Sequence, residues 1–106
     1  MKILLDECLP HDYRHCFPAH VIHTVKWAEL KSTKNGELLR RAEELGYDLL
    51  LTVDQGIPYQ QRLAGREISI LSIRARSNRM QDLLPLVDSI GRAMAEIRPG
   101  EWVLAG

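Results

Sequence analysis

The chain has 106 residues, with 14 basic and 14 acidic side chains, so its formal net charge is zero. This length predicts a single domain over residues 1–106 with one modest core, and the balanced charge gives no general attraction to nucleic acid. The hydrophobic fraction of 45% is ordinary for a globular protein, and no apolar run approaches the ~20 residues of a membrane-spanning helix.

The amino terminus and the cysteines indicate the compartment. The chain begins Met-Lys-Ile-Leu-Leu-Asp-Glu, with an acidic pair where a signal peptide needs an apolar stretch of about 7–15 residues. Cys8 and Cys16 are the only cysteines and lack the spacing of a zinc site, so we expect free thiols in a reducing compartment. We therefore expect a cytoplasmic protein that has no membrane partner.

The first third of the chain alternates strand-like and helix-like patterns. Ile3 to Leu5 predicts a short buried strand, and Pro10 to Phe17 predicts a helical segment with proline in its first turn. His20 to Val25 alternates weakly and is β-branched, which predicts a second strand. Trp27 to Leu30 predicts a short turn of helix.

The middle of the chain contains the strongest helix and strand patterns. Gly36 to Leu45 predicts a helix, with Asn35 as its N-cap and Gly46 as its terminator. Tyr47 to Val53 contains almost no polar residue, which predicts a central strand with both faces covered. The segment 55–61 predicts a turn that leads into a short helix.

The last third continues the alternation. Glu67 to Ile73 predicts a fourth strand, and residues 74–79 form a polar loop after it. Gln81 to Ile97 predicts the longest helix; Pro85 lies near its first turn, so an effective start at Pro85 is the alternative. Trp102 to Leu104 predicts a final short strand. Such alternation predicts an α/β domain with a mostly parallel sheet and helices on both faces.

Three acidic residues are predicted to converge at one edge of this sheet. Asp6 and Asp54 each follow a predicted strand, and Glu37 lies in the first turn of the helix between them. Carboxylates that close together repel each other, and a hard divalent cation is the usual reason to tolerate them. The pattern predicts a Mg²⁺ or Mn²⁺ site, with Asp6 and Asp54 as direct ligands and Glu37 completing it. Such an ion assists attack of water on a phosphodiester.

A simpler interpretation of these acids stays open. Acidic residues are common where strands become loops, and a carboxylate in a first helical turn, as at Glu37, is favoured by the helix dipole. Each acid could then be a cap or a turn residue with no catalytic role.

The loop 74–79 supplies candidate substrate-binding residues. Arg74, Arg76 and Asn78 follow a predicted strand, at the sheet edge where ligands bind in open α/β folds. Arginine binds phosphate in a bidentate manner, and asparagine contacts phosphate or sugar. In the alternative interpretation Asn78 caps the next helix and Arg76 pairs with Glu37 or Asp54.

Four motifs along the chain, taken together, resemble a family of short bacterial PIN-like proteins within the PIN-domain ribonuclease superfamily, whose relatives include VapC-type toxins. In chain order they are Leu-Leu-Asp6-Glu7-Cys-Leu-Pro10, Asn35-Gly36-Glu37-Leu-Leu, Leu-Leu-Thr52-Val-Asp54 and Leu-Ser-Ile-Arg74-Ala-Arg76-Ser-Asn78-Arg. The resemblance covers nearly the whole chain. It implies a PIN-like three-layer α/β/α sandwich and metal-dependent cleavage of RNA. It also implies that Asp6, Glu37 and Asp54 are the catalytic acids.

The resemblance further implies partners. RNA is the expected substrate, and a toxin–antitoxin operon is the expected setting, with an antitoxin protein as partner. PIN-like proteins often form homodimers, for which Trp27, Trp102 and the last strand could supply apolar interface area.

One departure from the PIN pattern leaves a second function open. Many PIN nucleases have a fourth acid shortly after the third, but here no carboxylate follows Asp54 until Glu67. The alternative is therefore a catalytically inactive PIN-like module that binds RNA or protein. A receiver-like domain is a third interpretation, although the early Asp-Asp pair is absent and Arg74, not lysine, follows the late strand.

Overall fold

The computed structural model describes residues 1–57, 63 and 65–106. These residues form five strands: β1 Lys2–Leu5, β2 Val21–Thr24, β3 Leu49–Thr52, β4 Ser69–Ile73 and β5 Trp102–Ala105. All neighbouring strands are parallel, in the order β2-β1-β3-β4-β5. The prediction of an α/β fold is confirmed, and this sheet is parallel throughout.

Short helices connect the strands. The helices of the described ranges are a 3₁₀ helix at His11–Cys16, α1 at Asn35–Glu44, α2 at Met80–Leu83, a 3₁₀ turn at Leu84–Leu86 and α3 at Val87–Glu96. Within those ranges, no helix has both the length and the apolar character needed to cross a bilayer. The short helix predicted to follow the turn at 55–61 and to end at Gly65 falls largely outside the described residues.

Two helix predictions differ in detail from the structure. The helix predicted over 81–97 is interrupted around Pro85, because proline has no N–H for the helical hydrogen bond and its ring clashes with the preceding turn. Its long part, α3, starts at Val87, close to the alternative start at Pro85. The segment Trp27 to Leu30 forms hydrogen-bonded turns and no helix.

Only the N-terminal end of α1 differs from the prediction. Asn35 is already helical and Lys34 is the N-cap, without a side-chain capping bond, so the predicted N-cap was one residue off. At the other end Gly46 follows with φ +84°, which confirms it as the terminator because glycine adopts this left-handed conformation without steric cost.

The sheet is covered on both faces by apolar side chains. Alternate residues of the strands point to opposite faces, so Leu50 packs with Leu39 of α1 on one face while Leu49 and Leu51 pack on the other. Every residue of β3 is buried, which confirms the prediction of a central strand. Tyr13 is fully buried under the second face, and its hydroxyl donates to a main-chain carbonyl 3.0 Å away.

The strand order creates a crevice between β1 and β3. After β1 the chain moves to β2 on one side, and it then crosses to β3 on the other side of β1. Connections that leave in opposite directions open a gap beyond the carboxyl ends of these two strands, where open α/β sheets bind their ligands. Asp6 directly follows β1, and Asp54 lies two residues beyond β3.

We expect the Leu50→Ala variant to lose about 2–5 kcal/mol of unfolding free energy, because the truncation leaves a cavity in the fully buried central strand. Urea denaturation monitored by circular dichroism measures this loss. The matched control is Leu84→Ala, at a position whose side chain is 50% exposed, and should change stability by less than about 1 kcal/mol. Equal losses in the two variants would contradict the assignment of β3 as the centre of the core.

Candidate functional site at the carboxyl edge of the sheet

Asp6 is fixed in both its main chain and its side chain. Its N–H donates to the carbonyl of Leu51 at 2.9 Å, which continues the pairing of β1 with β3 by one residue. One carboxylate oxygen, Oδ1, accepts from the N–H of Glu7 at 2.9 Å. The other, Oδ2, accepts from the hydroxyl of Thr52 at 2.6 Å. The carboxylate is therefore oriented before any ligand binds.

Asp54 is held by the strands on either side of its loop. Its N–H donates to Oγ1 of Thr52 at 3.0 Å, and its carbonyl accepts from the hydroxyl of Ser72 at 2.7 Å. Its Oδ1 accepts from the N–H of Gly56 at 2.7 Å, the pattern of an Asx turn. Within the described part of the chain, no donor reaches its second oxygen, Oδ2.

Thr52 connects the two aspartates and was not singled out from the sequence. Its hydroxyl donates to Asp6 and accepts from the main chain of Asp54, so one buried oxygen sets the relative position of both loops. The available signal was a hydroxyl in the segment 49–53, whose other residues are all apolar, because a buried hydroxyl needs hydrogen-bond partners.

The thiol of Cys8 completes this group. Its sulfur lies 3.5 Å from Oδ2 of Asp6 and 3.5 Å from Oγ1 of Thr52. Burial raises the pKa of the Cys8 thiol, so it stays protonated near neutral pH and donates weakly to Oδ2 of Asp6.

A cavity of about 280 Å³ opens beside the aspartates. Its walls come from the ends of β1 and β3, from the loop after β2 and from the start of α1; the lining residues include Asp6, Glu7, Asp54, Thr33, Asn35 and Leu38. The structure thus brings together two of the three predicted acids, at the crevice that the strand order creates.

Glu37 lies apart from this pair. Its exposed carboxylate forms an ion pair with Arg40 one turn later, and the same guanidinium binds Glu44 at 2.6 Å. Hydrogen bonds from Arg40 lower the pKa of Glu37. Glu37 does not line the cavity, and no group of three metal-binding side chains occurs among residues 1–57, 63 and 65–106. Its assignment as the third ligand stays a prediction.

The loop after β4 approaches the site through Asn78. The side-chain amide of Asn78 donates to the carbonyl of Cys8 at 2.8 Å, which ties this loop to the one that follows Asp6. Asn78 is not the cap of the next helix, where Arg79 is the N-cap residue. Arg74 and Arg76 are exposed, and neither has an ion-pair partner within the described ranges. Their contact with substrate stays a prediction.

The strand ends also bear on the receiver-like interpretation. The order β2-β1-β3-β4-β5 is shared by receiver domains, so topology alone does not exclude it. Arg74 follows β4 and Gly106 follows β5, so neither late strand is followed by the lysine that this interpretation requires.

Comparisons of the chain with models of protein families, with curated proteins and with solved structures found no match. Function must therefore be inferred from the residues at this edge of the sheet.

We expect Thr52→Val to lower the unfolding free energy by about 1–3 kcal/mol, because the nearly isosteric valine leaves the N–H of Asp54 without its acceptor. We also expect the amide of Asp54 to exchange with solvent deuterium faster. Chemical denaturation and hydrogen exchange measured by NMR provide the two readouts.

The control for this change is Thr52→Ser, which keeps the hydroxyl and should preserve the slow exchange of the Asp54 amide. Equally slow exchange in the valine variant would show that the hydroxyl does not connect the two loops.

Proposed function

We propose that this chain is a PIN-like, metal-dependent phosphodiesterase that cleaves RNA. The observation that supports the proposal best is that Asp6 and Asp54 line one cavity, beyond the carboxyl ends of β1 and β3. Thr52 holds both of them in place through one hydroxyl. Preorganised carboxylates in a crevice favour a catalytic site over a pair of turn residues, because turns alone do not require a shared cavity.

The donor atoms at this edge suit Mg²⁺ or Mn²⁺. These ions prefer oxygen ligands, and Mg²⁺ commonly takes one or two carboxylates while it keeps several waters. Asp6 and Asp54 offer carboxylate oxygens with unused lone pairs. When bound there, the ion would neutralise charge on the phosphate and lower the pKa of a water ligand.

The chain's own groups would perform the remaining tasks. Oδ1 of Asp54 accepts from the N–H of Gly56, so we assign its Oδ2 to bind the ion and thereby to position the water ligand. Asp6 stays in position because its two oxygens accept from the main chain and from Thr52. This arrangement needs little reorganisation during the reaction, which is how preorganised groups lower a barrier.

The arginines beyond β4 would bind the phosphate. Arg74 directly follows β4, the neighbour of β3 in the sheet, and Arg76 lies in the same loop. The hydrogen bond from Asn78 to Cys8 holds this loop against the one after Asp6. In this proposal Asn78 positions the loop, and the two guanidinium groups contact the substrate.

An inactive PIN-like module that binds RNA or protein is the second candidate. The ion pair between Glu37 and Arg40 favours it, because this interaction occupies the acid that would complete a three-carboxylate site. An antitoxin protein and a second copy of the chain remain proposed partners under either function.

We expect Asp54→Asn to reduce Mn²⁺-dependent RNA cleavage about a hundredfold or more, because the loss of a few kcal/mol of charge stabilisation changes a rate by that factor. Asp6→Asn should behave in the same way. Cleavage of a labelled single-stranded RNA is the first measurement, and Mn²⁺ binding by isothermal titration calorimetry is the second.

The matched control for both variants is Asp88→Asn, at an exposed position on α3 away from the cavity, which should leave cleavage and Mn²⁺ affinity unchanged. Equal cleavage by the wild-type protein and Asp54→Asn would sink the nuclease proposal. Absence of Mn²⁺ binding at millimolar concentration in the wild-type protein would favour the inactive module.

We expect Glu37→Gln to change Mn²⁺ affinity less than about threefold, because its carboxylate pairs with Arg40 and lies outside the cavity lining. The same calorimetric titration measures this effect, with Asp54→Asn as the comparison. A tenfold or greater loss of affinity would assign Glu37 to the metal site, as the sequence alone predicts.

A further inference from the structure

The indole of Trp27, in the loop after β2, is unusually open to solvent. Its residue is 66% exposed, although tryptophan is one of the side chains that proteins bury most on average. One face of the ring stacks on the imidazole of His23, with a centroid distance of 3.8 Å and an interplanar angle of 26°. Because His23 covers that face, the exposed surface lies on the opposite face and the ring edge.

Neighbouring groups hold this ring pair in place. The N–H of Trp27 donates to Oγ1 of Thr24 at 3.0 Å, and Nδ1 of His23 lies 2.9 Å from the hydroxyl of Tyr47. Burial, followed by the nearby charge of Lys2, lowers the pKa of His23, so the imidazole is neutral at pH 7. A flat, apolar and oriented ring is therefore presented to solvent, which lowers the entropy cost of stacking against it.

A chain of adjoining cavities links Trp27 to the two aspartates. The cavity beside Asp6 and Asp54 shares Glu7 and Val25 with a second cavity of about 250 Å³. The second cavity shares His11 and Thr24 with a third, of about 280 Å³, which is lined by Trp27 and His23. These three adjoining cavities, here called the groove, run from the carboxyl ends of β3 and β1 to the outer edge of β2. Their row crosses about two strand spacings, or ~10 Å.

The outer part of this groove is basic. Its second and third cavities are lined by Lys26, Lys31, Arg14 and His11, and Glu7 is the one acid among their described lining residues. Neither lysine nor Arg14 forms an ion pair with a described carboxylate. Cationic side chains beside an exposed aromatic ring are the combination that binds single-stranded nucleic acid, through phosphate contacts and base stacking.

We propose that this groove binds a single strand of RNA, with one base stacked on Trp27 and the adjoining phosphates contacted by Lys26, Lys31 and Arg14. The strand then extends across β2 and β1 to the acidic pair. This inference rests on the proposed function only for the role of the acidic end; binding itself does not require cleavage.

The charges favour a polyanion over a second copy of the chain on this surface. A two-fold symmetric dimer would bring the same patch of each copy together, and its lysines would then face one another. Duplex RNA fits less well, because its bases already stack within the helix and offer no face to Trp27. The surface thus selects a single strand whose bases are free.

The test uses the Asp54→Asn background without divalent metal, so that cleavage cannot interfere with binding. Fluorescence anisotropy measures the affinity for a labelled 12-nucleotide oligouridine. We expect Trp27→Ala to weaken binding about tenfold and Trp27→Phe to weaken it less than about threefold, since phenylalanine keeps a stacking surface. The doubly substituted K26A/K31A variant should reduce the slope of log affinity against log salt concentration by about 1.4.

Controls separate this inference from the proposed nuclease function. Arg92→Ala, which removes an exposed basic residue outside this groove, should bind as tightly as the background protein. Unchanged affinity in Trp27→Ala would overturn the proposed groove even if Asp54 proves essential for cleavage. Weaker binding in Trp27→Ala supports the groove even if the wild-type protein never cleaves RNA. Concentration-dependent dimerisation that Trp27→Ala abolishes, with unchanged affinity for the oligouridine, would assign the surface to a second copy and overturn the inference.

Discussion

The hydroxyl of Thr52 is the constraint on which the carboxyl edge of the sheet depends. It is fully buried at the end of a strand whose other residues are leucines, so its donor and its acceptor must both be satisfied within the protein. It donates to the side chain of Asp6 and accepts from the main chain of Asp54. The Thr52 hydroxyl therefore sets the positions of the loops that contain Asp6 and Asp54, whose carboxylates line one cavity. Hydrogen bonds to these carboxylates stabilise the two like charges.

A second hydroxyl repeats this arrangement on the neighbouring strand. Ser72 is the register partner of Thr52, is also fully buried, and donates to the carbonyl of Asp54. The indole N–H of Trp102 donates to Oγ of Ser72 at 2.8 Å. The edge strand β5 therefore supports the loop that contains Asp54 through Ser72. These contacts connect the loop after β3 to β4 and, through Ser72, to β5, so neighbouring strands help to orient the polar site.

The acidic pair and the basic groove have complementary properties. The first is suited to a hard cation, and the second, around Trp27, is suited to the phosphates and bases of a strand. The zero net charge of the chain therefore conceals a local separation of charge along one side of the sheet. A nuclease and a silent RNA-binding module would both use the groove, and they differ only in what Asp6 and Asp54 bind.

The sequence by itself determined the strand and helix alternation, the central position of β3 and the placement of Asp6 and Asp54 at the same edge of the sheet. Apolar runs, glycine and strand ends are local signals that a sequence shows directly. Only the tertiary structure decided which polar side chains distant in sequence become partners. The pairing of Glu37 with Arg40 is local, because residues three apart are neighbours on a helix surface, but only the structure shows that Glu37 lies outside the lining of the cavity. Thr52 gained its role from Asp6, 46 positions earlier in the chain, and Trp27 gained its role from the exposure of its ring; neither property is recorded in a local pattern.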